Sequence, residues 1–579
     1  MGRARHASIR WALGATVLAL SLSGCGPSPA PADQEAALAP SSPTQARPLV
    51  VFVRTEPSSP AARPLVQAGA SLRFVMRVFN ALPALLDAQG MPHPELLASL
   101  PLLNSDDWQI FPDGSMLTTY ALRPSLTWQD GHGLTADDFV FAWRVYSTPV
   151  LGLAGQPPWP AISDVAAPDP RHIVVHWKLP FPDADTLATK SSSAFPPLPR
   201  HILETVFDQI STSGRDAFDN HPYWGAQYVG AGPYRVQRWE TGTFIDAVRF
   251  DQYALGAAKI PRIELRFSAD QNVVIASLLA GAAHVATDSS ISKAPEALTQ
   301  QWGQSRAGAV FQAPSSLRYM GFQLRAEVAN PRAILDARVR KAVAHAVDKA
   351  AVNEAIYAGL GVYADTPVWE GSAWGEALDS SIPTYPLDPR ATESLMNQAG
   401  FTKGSDGFYR GQDGRLSLEV ATTEGADNVR EMLVYADRLA AAGLSVEQRA
   451  LPAAQAQNGQ VRSSFPSMQI TGIGMGEQAL NGLASSQIST ADNKWTGGNV
   501  NGWSSAAFDA LLDGFNTTLN RSERVLLVRH MLRVFADELP MVALFFNAQP
   551  FAYVKELRGP APTAPESNLA WNIHEWEFE

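Results

Sequence analysis

Apolar and polar positions alternate with two different periods along this chain, and the two periods separate strands from helices. Leu49-Val50-Val51-Phe52-Val53 is a short unbroken apolar run, the pattern of a buried strand. Over 171–179 the period is two, with Ile173, Val175 and Trp177 on one side. Ile263, Leu265 and Phe267 repeat it. Tyr120-Ala121-Leu122-Arg123 before Pro124 reads as a strand end, and Asp130-Gly131 as a turn.

Elsewhere the period lengthens to that of a helix. Thr135 caps a helix from Ala136, with Asp137 and Asp138 favourable in its first turn and Phe139, Ala142, Trp143 and Tyr146 on one face. Asp336 caps a segment with Val339, Ala342, Val343, Ala346 and Val347 on one face. Asp348 opens the next, with Val352 and Ile356 inward and Gly359 just past its end. Asp388-Pro389 joins an N-cap to a proline at the first helical position, and that helix stops at Gly400. Arg521–Glu538 is a long amphipathic stretch halted by Pro540. Strands and helices alternate without a repeat of roughly 20–50 residues, which predicts an α/β fold and argues against a solenoid or propeller.

Composition adds that the 579 residues, 46% hydrophobic and 17% charged, form a globular chain of several domain-sized units. With 45 basic against 56 acidic residues the net charge is −11, which opposes nucleic-acid binding as the main role. Cys25 is the single cysteine, so neither an intramolecular disulfide nor a multi-cysteine metal site is expected. Before it stand Arg3, Arg5 and Arg10, an apolar stretch over 11–22, and Leu22-Ser23-Gly24-Cys25. That order resembles a bacterial lipobox: a signal peptide over 1–24, then Cys25 acylated and held in a bilayer. Segment 25–48, rich in Pro, Ala and Ser, reads as a disordered tether.

Several motifs in a fixed order resemble the family 5 extracellular solute-binding proteins, the peptide/nickel-type receptors of ABC importers. They are Pro94-Glu95-Leu96-Leu97-Ala98; Leu122 to Gly131 with Leu134-Thr135-Ala136-Asp137-Asp138; Gly230-Ala231-Gly232-Pro233-Tyr234; Ile275 to Gly281; Arg338 to Ala342 with Ala346-Val347-Asp348-Lys349; and Tyr385 to Pro389. Phe508-Asp509 and Leu539-Pro540 fit the closing helices. The resemblance covers about 50–575. It implies a type II periplasmic-binding fold of two lobes joined by a two-stranded hinge, with an extra subdomain in the first lobe. The expected division is lobe I over 49–90, 228–315 and 545–579, the extra subdomain over 91–227, and lobe II over 316–544, with hinge crossings near 312–324 and 543–547. The implied function is capture of a peptide or peptide-like solute in the inter-lobe cleft for delivery to ABC permease subunits. The expected state is a monomer outside the cytoplasm, in the periplasm or at the cell surface.

By position match, the resemblance implies ligand contacts at Ser71, Tyr146, Tyr319, Thr423, Ile473, Gly474, Met475, Trp503 and Phe545. Each also has a plain packing reading; Trp503, for instance, precedes the helix that starts near Ser505. Family members that bind free peptides often hold the α-ammonium with an aspartate. Here Met475 stands at that position and Glu477 lies two residues on. A buried ammonium without a carboxylate is costly. The expected ligand therefore has no free amino terminus there (a blocked or modified peptide, an opine-like or sugar-bearing compound, or another neutral polar molecule) unless Glu477 swings in. The run 472–476 superficially resembles a dinucleotide loop but lacks the final spaced glycine and the following helix. No G-x-S-x-G, H-E-x-x-H or Walker motif occurs. His172 and His176 could share a strand face but lack a third ligand, so neither metal nor cofactor is expected. The competing classes are an enzyme on the same scaffold and a non-transport lipoprotein acting as a sensor or chaperone-like binder.

Overall fold

The computed structural model describes residues 47–579 apart from positions 64, 66–71, 156–157, 188–193, 288–289, 292–294, 358, 360, 453–454, 456–457, 494, 496 and 565–566. Cys25, the leader 1–24, nearly all of the tether and Ser71 lie outside the described residues. Among the described residues no helix is long and apolar enough to cross a membrane.

One mixed sheet runs through the body. In spatial order its strands are Ser445–Leu451, Ser417–Thr423, Met468–Ile473, Gly308–Phe322, Met541–Val554, Val285–Ala286, Leu49–Val53, Arg262–Phe267, Phe244–Arg249 and Tyr234–Glu240, with the short Val362–Tyr363 paired to Met541–Val554 off this path. Leu49–Val53 pairs in parallel on both sides and is buried throughout, which is why its sequence does not alternate. A separate four-stranded antiparallel sheet, in the order Trp108–Ile110, Met116–Ala121, His172–Trp177, Ile162–Asp169, lies within the span expected for the extra subdomain. There Ile173, Val175 and Trp177 are buried and their neighbours are not, as the period of two requires.

The helices start where capping chemistry places them. Thr135 precedes Ala136–Tyr146, and its N–H donates to Asp138 Oδ2 at 2.9 Å. Asp336 caps Ala337–Ala346, Asp388 caps Pro389–Gln398 with two backbone donors, and Asn520 caps Arg521–Glu538. The last of these ends in Leu539 with a left-handed backbone, immediately before Pro540. Asp138 does more than favour the first turn of Ala136–Tyr146. It is buried and also accepts from Trp128 Nε1 and from the Arg200 N–H.

Buried side chains fall into two territories. One is built from 49–302 and 551–576; the other, itself divided between the two faces of the sheet, is built from 317–546. Among the described residues, the paired strands Gly308–Phe322 and Met541–Val554 run deep into both. Val310, Phe311 and Phe551 pack in the first; Leu317, Tyr319, Ala543 and Phe546 pack in the second. The switch on the return strand falls around 547–549. Phe545 and Phe546, expected at the start of lobe I, pack into the second territory instead.

Candidate functional site

The paired strands make an antiparallel ribbon whose register shifts between Pro314 and Ser316 and again between Arg318 and Tyr319. The second shift adds a residue to the return strand. Leu544 and Phe545 consequently both bury on one face, where strict alternation would part them. Asn547 sits at the middle of the ribbon. Its Nδ2 donates to Ser316 Oγ at 3.3 Å, its carbonyl accepts from Ser315 Oγ at 3.1 Å, and its Oδ1 accepts from the Tyr357 hydroxyl at 3.4 Å. Small polar groups thus replace apolar packing at the crossing, which is what a bending point needs.

On one face of the ribbon Arg318 reaches Glu431. Its Nη2 and Nε both donate to Glu431 Oε2, at 2.6 and 2.9 Å, and Nη2 also meets Asn428 Oδ1 at 3.3 Å. Asn428 in turn donates to the Thr423 carbonyl at 3.2 Å. Phe545 pairs across from Arg318 and packs its ring on Tyr357 at 4.8 Å. Burial, with the Glu431 charge second, pushes the Tyr357 and Tyr435 hydroxyls well above their ordinary range. Glu431 Oε1 and the Tyr435 hydroxyl are buried without a hydrogen-bond partner. Thr423 and Phe545 therefore gather around one polar cluster.

The other expected contacts lie on the opposite face or away from the ribbon. Tyr319 is buried beside Leu317, and Ile473 and Met475 pack against that core. Gly474 lies in the turn after Met468–Ile473, against the Gln478 side chain. Trp503 is buried against Phe508 and Phe535, and its Nε1 donates to Glu538 Oε2 at 2.7 Å. Contrary to the expectation that no helix follows 472–476, Glu477 begins the short helix Glu477–Gly482; it accepts from Trp374 Nε1 at 2.9 Å and lies 3.6 Å from Arg524. Tyr146 is fully buried in the first territory, stacked on Trp159 at 5.0 Å.

The sequence motifs serve scaffolding. Glu95 accepts from Arg77 and Tyr253 through Oε1, at 2.8 and 2.5 Å, and from the Leu82 N–H through Oε2 at 2.8 Å. Gln129 Nε2 donates to the Gly232 and Tyr234 carbonyls. Gly232 is required by close approach, since a Cβ there would stand 2.4 Å from the backbone at Phe79 and Asn80. Arg340 donates to the carbonyls of Glu538 at 2.6 Å and Leu539 at 3.1 Å, satisfying the end of Arg521–Glu538.

Sequence reasoning missed Arg318 and Glu431. The signal was present: each is a lone charge in an apolar stripe. Arg318 shares a strand face with Met320 and Phe322, and Glu431 precedes the buried Met432, Tyr435 and Leu439.

The profile of "Bacterial extracellular solute-binding proteins, family 5 Middle" matches residues 100–493. A putative ABC transporter peptide-binding protein of Brucella ovis is 22% identical over 300 residues, 51% of each chain. The oligopeptide-binding protein AppA of Bacillus subtilis is 23% identical over 343 residues, 58% of each. The chain spans about half the length of the curated relatives it matches. In fold it resembles NikZ from Campylobacter jejuni, solved in complex with Ni(L-His), with TM-score 0.71, 20% identity, and coverage of 92% of this chain and 99% of that one. That likeness establishes the mixed α/β, two-lobed binding-protein fold.

Proposed function

The chain belongs to the bacterial extracellular solute-binding proteins of family 5, and from that premise we propose that it is the substrate-binding receptor of an ABC importer, a binder rather than an enzyme. It takes a peptide or peptide-like solute between two lobes and delivers it to permease subunits in the membrane. Lobe I comprises 49–90, 228–315 and the C-terminal segment, with the extra subdomain over 91–227 inserted in it; lobe II begins at 316. The observation that carries this reading is the ribbon. Two antiparallel strands, Gly308–Phe322 and Met541–Val554, join territories with separate cores through a belt of Ser, Asn and bulged backbone. Such a joint permits hinge closure around a ligand.

Cys25 anchors the receptor through acyl chains, with the tether holding the body off the bilayer; the order of basic, apolar and Leu-Ser-Gly-Cys residues supports this. The ligand carries no free ammonium at the position of Met475. Glu477, the nearest acid in sequence, supports this reading, because its carboxylate is already engaged by Trp374 and lies beside Arg524.

The test is titration calorimetry with a peptide and its N-acetylated twin, together with small-angle scattering. The expected result is comparable binding of the two and a smaller radius of gyration when either is bound. Tight binding of the free peptide alone, lost again in Glu477→Gln, overturns the ligand class. A bound ligand that leaves the radius unchanged overturns closure. Cys25→Ser should move the protein from the membrane to the soluble fraction; unchanged partitioning overturns the anchor.

A further inference from the structure

Away from the ribbon, three side chains with metal-ligand chemistry meet at one place on the surface. Asp130 stands at a tight turn whose next residue, Gly131, has φ +92°. His132 follows on the same hairpin, and His201 lies in the first turn of Arg200–Asp208. His201 Nε2 is 2.7 Å from Asp130 Oδ2, and His132 Nδ1 is 3.3 Å from Asp130 Oδ1. The two imidazole rings stack with centroids 4.1 Å apart and planes 20° apart. One ligand atom from each of the three residues lies within 4.8 Å of the other two. Around a tetrahedral cation, ligands at about 2.1 Å stand about 3.4 Å from one another, so small rotations of exposed side chains close the set.

The elements that carry these donors are fixed from below. The hairpin is closed by the Trp128 N–H donating to the His132 carbonyl at 2.8 Å and by the bridge between Thr127 and Gly133. Gln129, buried one residue before Asp130, ties it to the Gly232 and Tyr234 carbonyls. Asp138 then links the two arms. Its Oδ2 accepts from Trp128 Nε1 at 3.2 Å, and its Oδ1 accepts from the Arg200 N–H at 3.0 Å, one residue before His201. The donors therefore converge on elements whose ordering is already supplied by the fold, and a cation arriving there need immobilise only three side chains.

We propose that Asp130, His132 and His201 form a binding site for a late first-row divalent cation such as Zn²⁺, which clips the 127–133 hairpin to the helix Arg200–Asp208. Two imidazole nitrogens and one carboxylate oxygen suit Zn²⁺, Ni²⁺ or Cu²⁺ and disfavour Ca²⁺ and Mg²⁺, which demand oxygen. Three protein ligands leave a coordination position for water. The cation takes the place of the His201–Asp130 hydrogen bond and of the His132–Asp130 approach. It requires both rings neutral at their ligating nitrogens, so the site empties on acidification. The arrangement was hidden from the sequence because Asp130 and His201 are 71 residues apart.

Two comparable pairs supply controls. His93 lies 2.7 Å from Asp87, and His172 lies 2.7 Å from Asp169, each with a single imidazole. The purified chain, stripped with chelator, is titrated with Zn²⁺ at pH 7.5 by calorimetry, and with Co²⁺ by visible absorption. One equivalent is expected to bind to the wild type and to His93→Ala and His172→Ala. His132→Ala and His201→Ala should each weaken binding at least tenfold and lose the Co²⁺ bands of a low-coordinate site. Melting curves without metal give each variant its own baseline, since His201 also bonds Asp130 at 2.7 Å; on adding Zn²⁺, only the wild type and the two controls should rise above theirs. Absence of binding by the wild type overturns the proposal, as does binding that survives in His132→Ala and His201→Ala.

Discussion

Two buried arginine–carboxylate pairs, one in each territory, are built to different standards. In the first, Arg77 and Glu95 are almost wholly enclosed, and every oxygen of Glu95 has a donor: Arg77 and Tyr253 on one, the Leu82 N–H on the other. Arg77 is also spent on the Trp571 and Asn80 carbonyls. In the second, Arg318 and Glu431 share a single carboxylate oxygen, while Glu431 Oε1 and the neighbouring Tyr435 hydroxyl have no partner. Buried charge is costly and is repaid only by full hydrogen bonding. A closed network holds its elements in one arrangement, whereas an incomplete one beside the ribbon holds its elements less firmly.

The sharpest way to break this contrast is to remove each carboxylate charge in turn. Glu95→Gln strands Arg77 in the first core, and urea unfolding should show a loss of about 3–5 kcal/mol. Glu431→Gln should cost only about 1–2 kcal/mol, because Asn428 remains on Arg318 and one carboxylate oxygen was already without a donor. Equal losses would mean that the second pair is scaffold too.

The same contrast explains what could be read from the sequence. The elements were legible because strands such as His172–Trp177 and helices such as Pro389–Gln398 are set by local periods and caps that act within a few residues. The motif residues were legible as a family pattern, but Glu95, Gln129, Gly232 and Arg340 turn out to hold elements together. The polar cluster on the ribbon was not legible. Its members Arg318, Tyr357, Asn428 and Glu431 come from a strand and two helices joined only by tertiary contact, and the bulge that turns Phe545 toward them is invisible to a pattern of period two. Trp503 shows the converse: position match implied a ligand contact, and the structure commits its indole N–H to Glu538 inside a core.

Acid should next separate the territories, because the first holds two buried imidazoles. His284 Nδ1 accepts from the Val50 N–H at 2.9 Å, and His574 packs on Tyr253 at 5.4 Å. Burial first, with nearby arginines second, lowers both from 6.5 to about 4. Between those values the unfolded chain takes up protons that the folded chain refuses. The contribution is thus complete above pH 6.5 and is lost as pH falls toward 4. Each imidazole adds a slope approaching 1.4 kcal/mol per pH unit, roughly, within that window. Hydrogen exchange at pH 5 should open Leu49–Val53 and its neighbours before the strands of the second territory, and His284→Gln should flatten the slope. Simultaneous opening would merge the two territories into one cooperative unit.

The smallest expected effect is the most discriminating. Tyr253 and Tyr435 are both buried tyrosines beside a buried carboxylate, and Tyr→Phe deletes one oxygen from each. The Tyr253 hydroxyl lies 2.7 Å from Arg77 Nη2 and 2.5 Å from Glu95 Oε1, so Tyr253→Phe removes one bond to each ion and should cost about 1–3 kcal/mol. The Tyr435 hydroxyl has no partner, and its removal abolishes a desolvated polar group rather than a bond. Tyr435→Phe should therefore leave stability within about 0.5 kcal/mol of the wild type, or raise it. A loss from Tyr435→Phe as large as that from Tyr253→Phe would show that this hydroxyl is bonded in the folded protein in solution. The difference between a closed scaffold and an open cluster would then disappear.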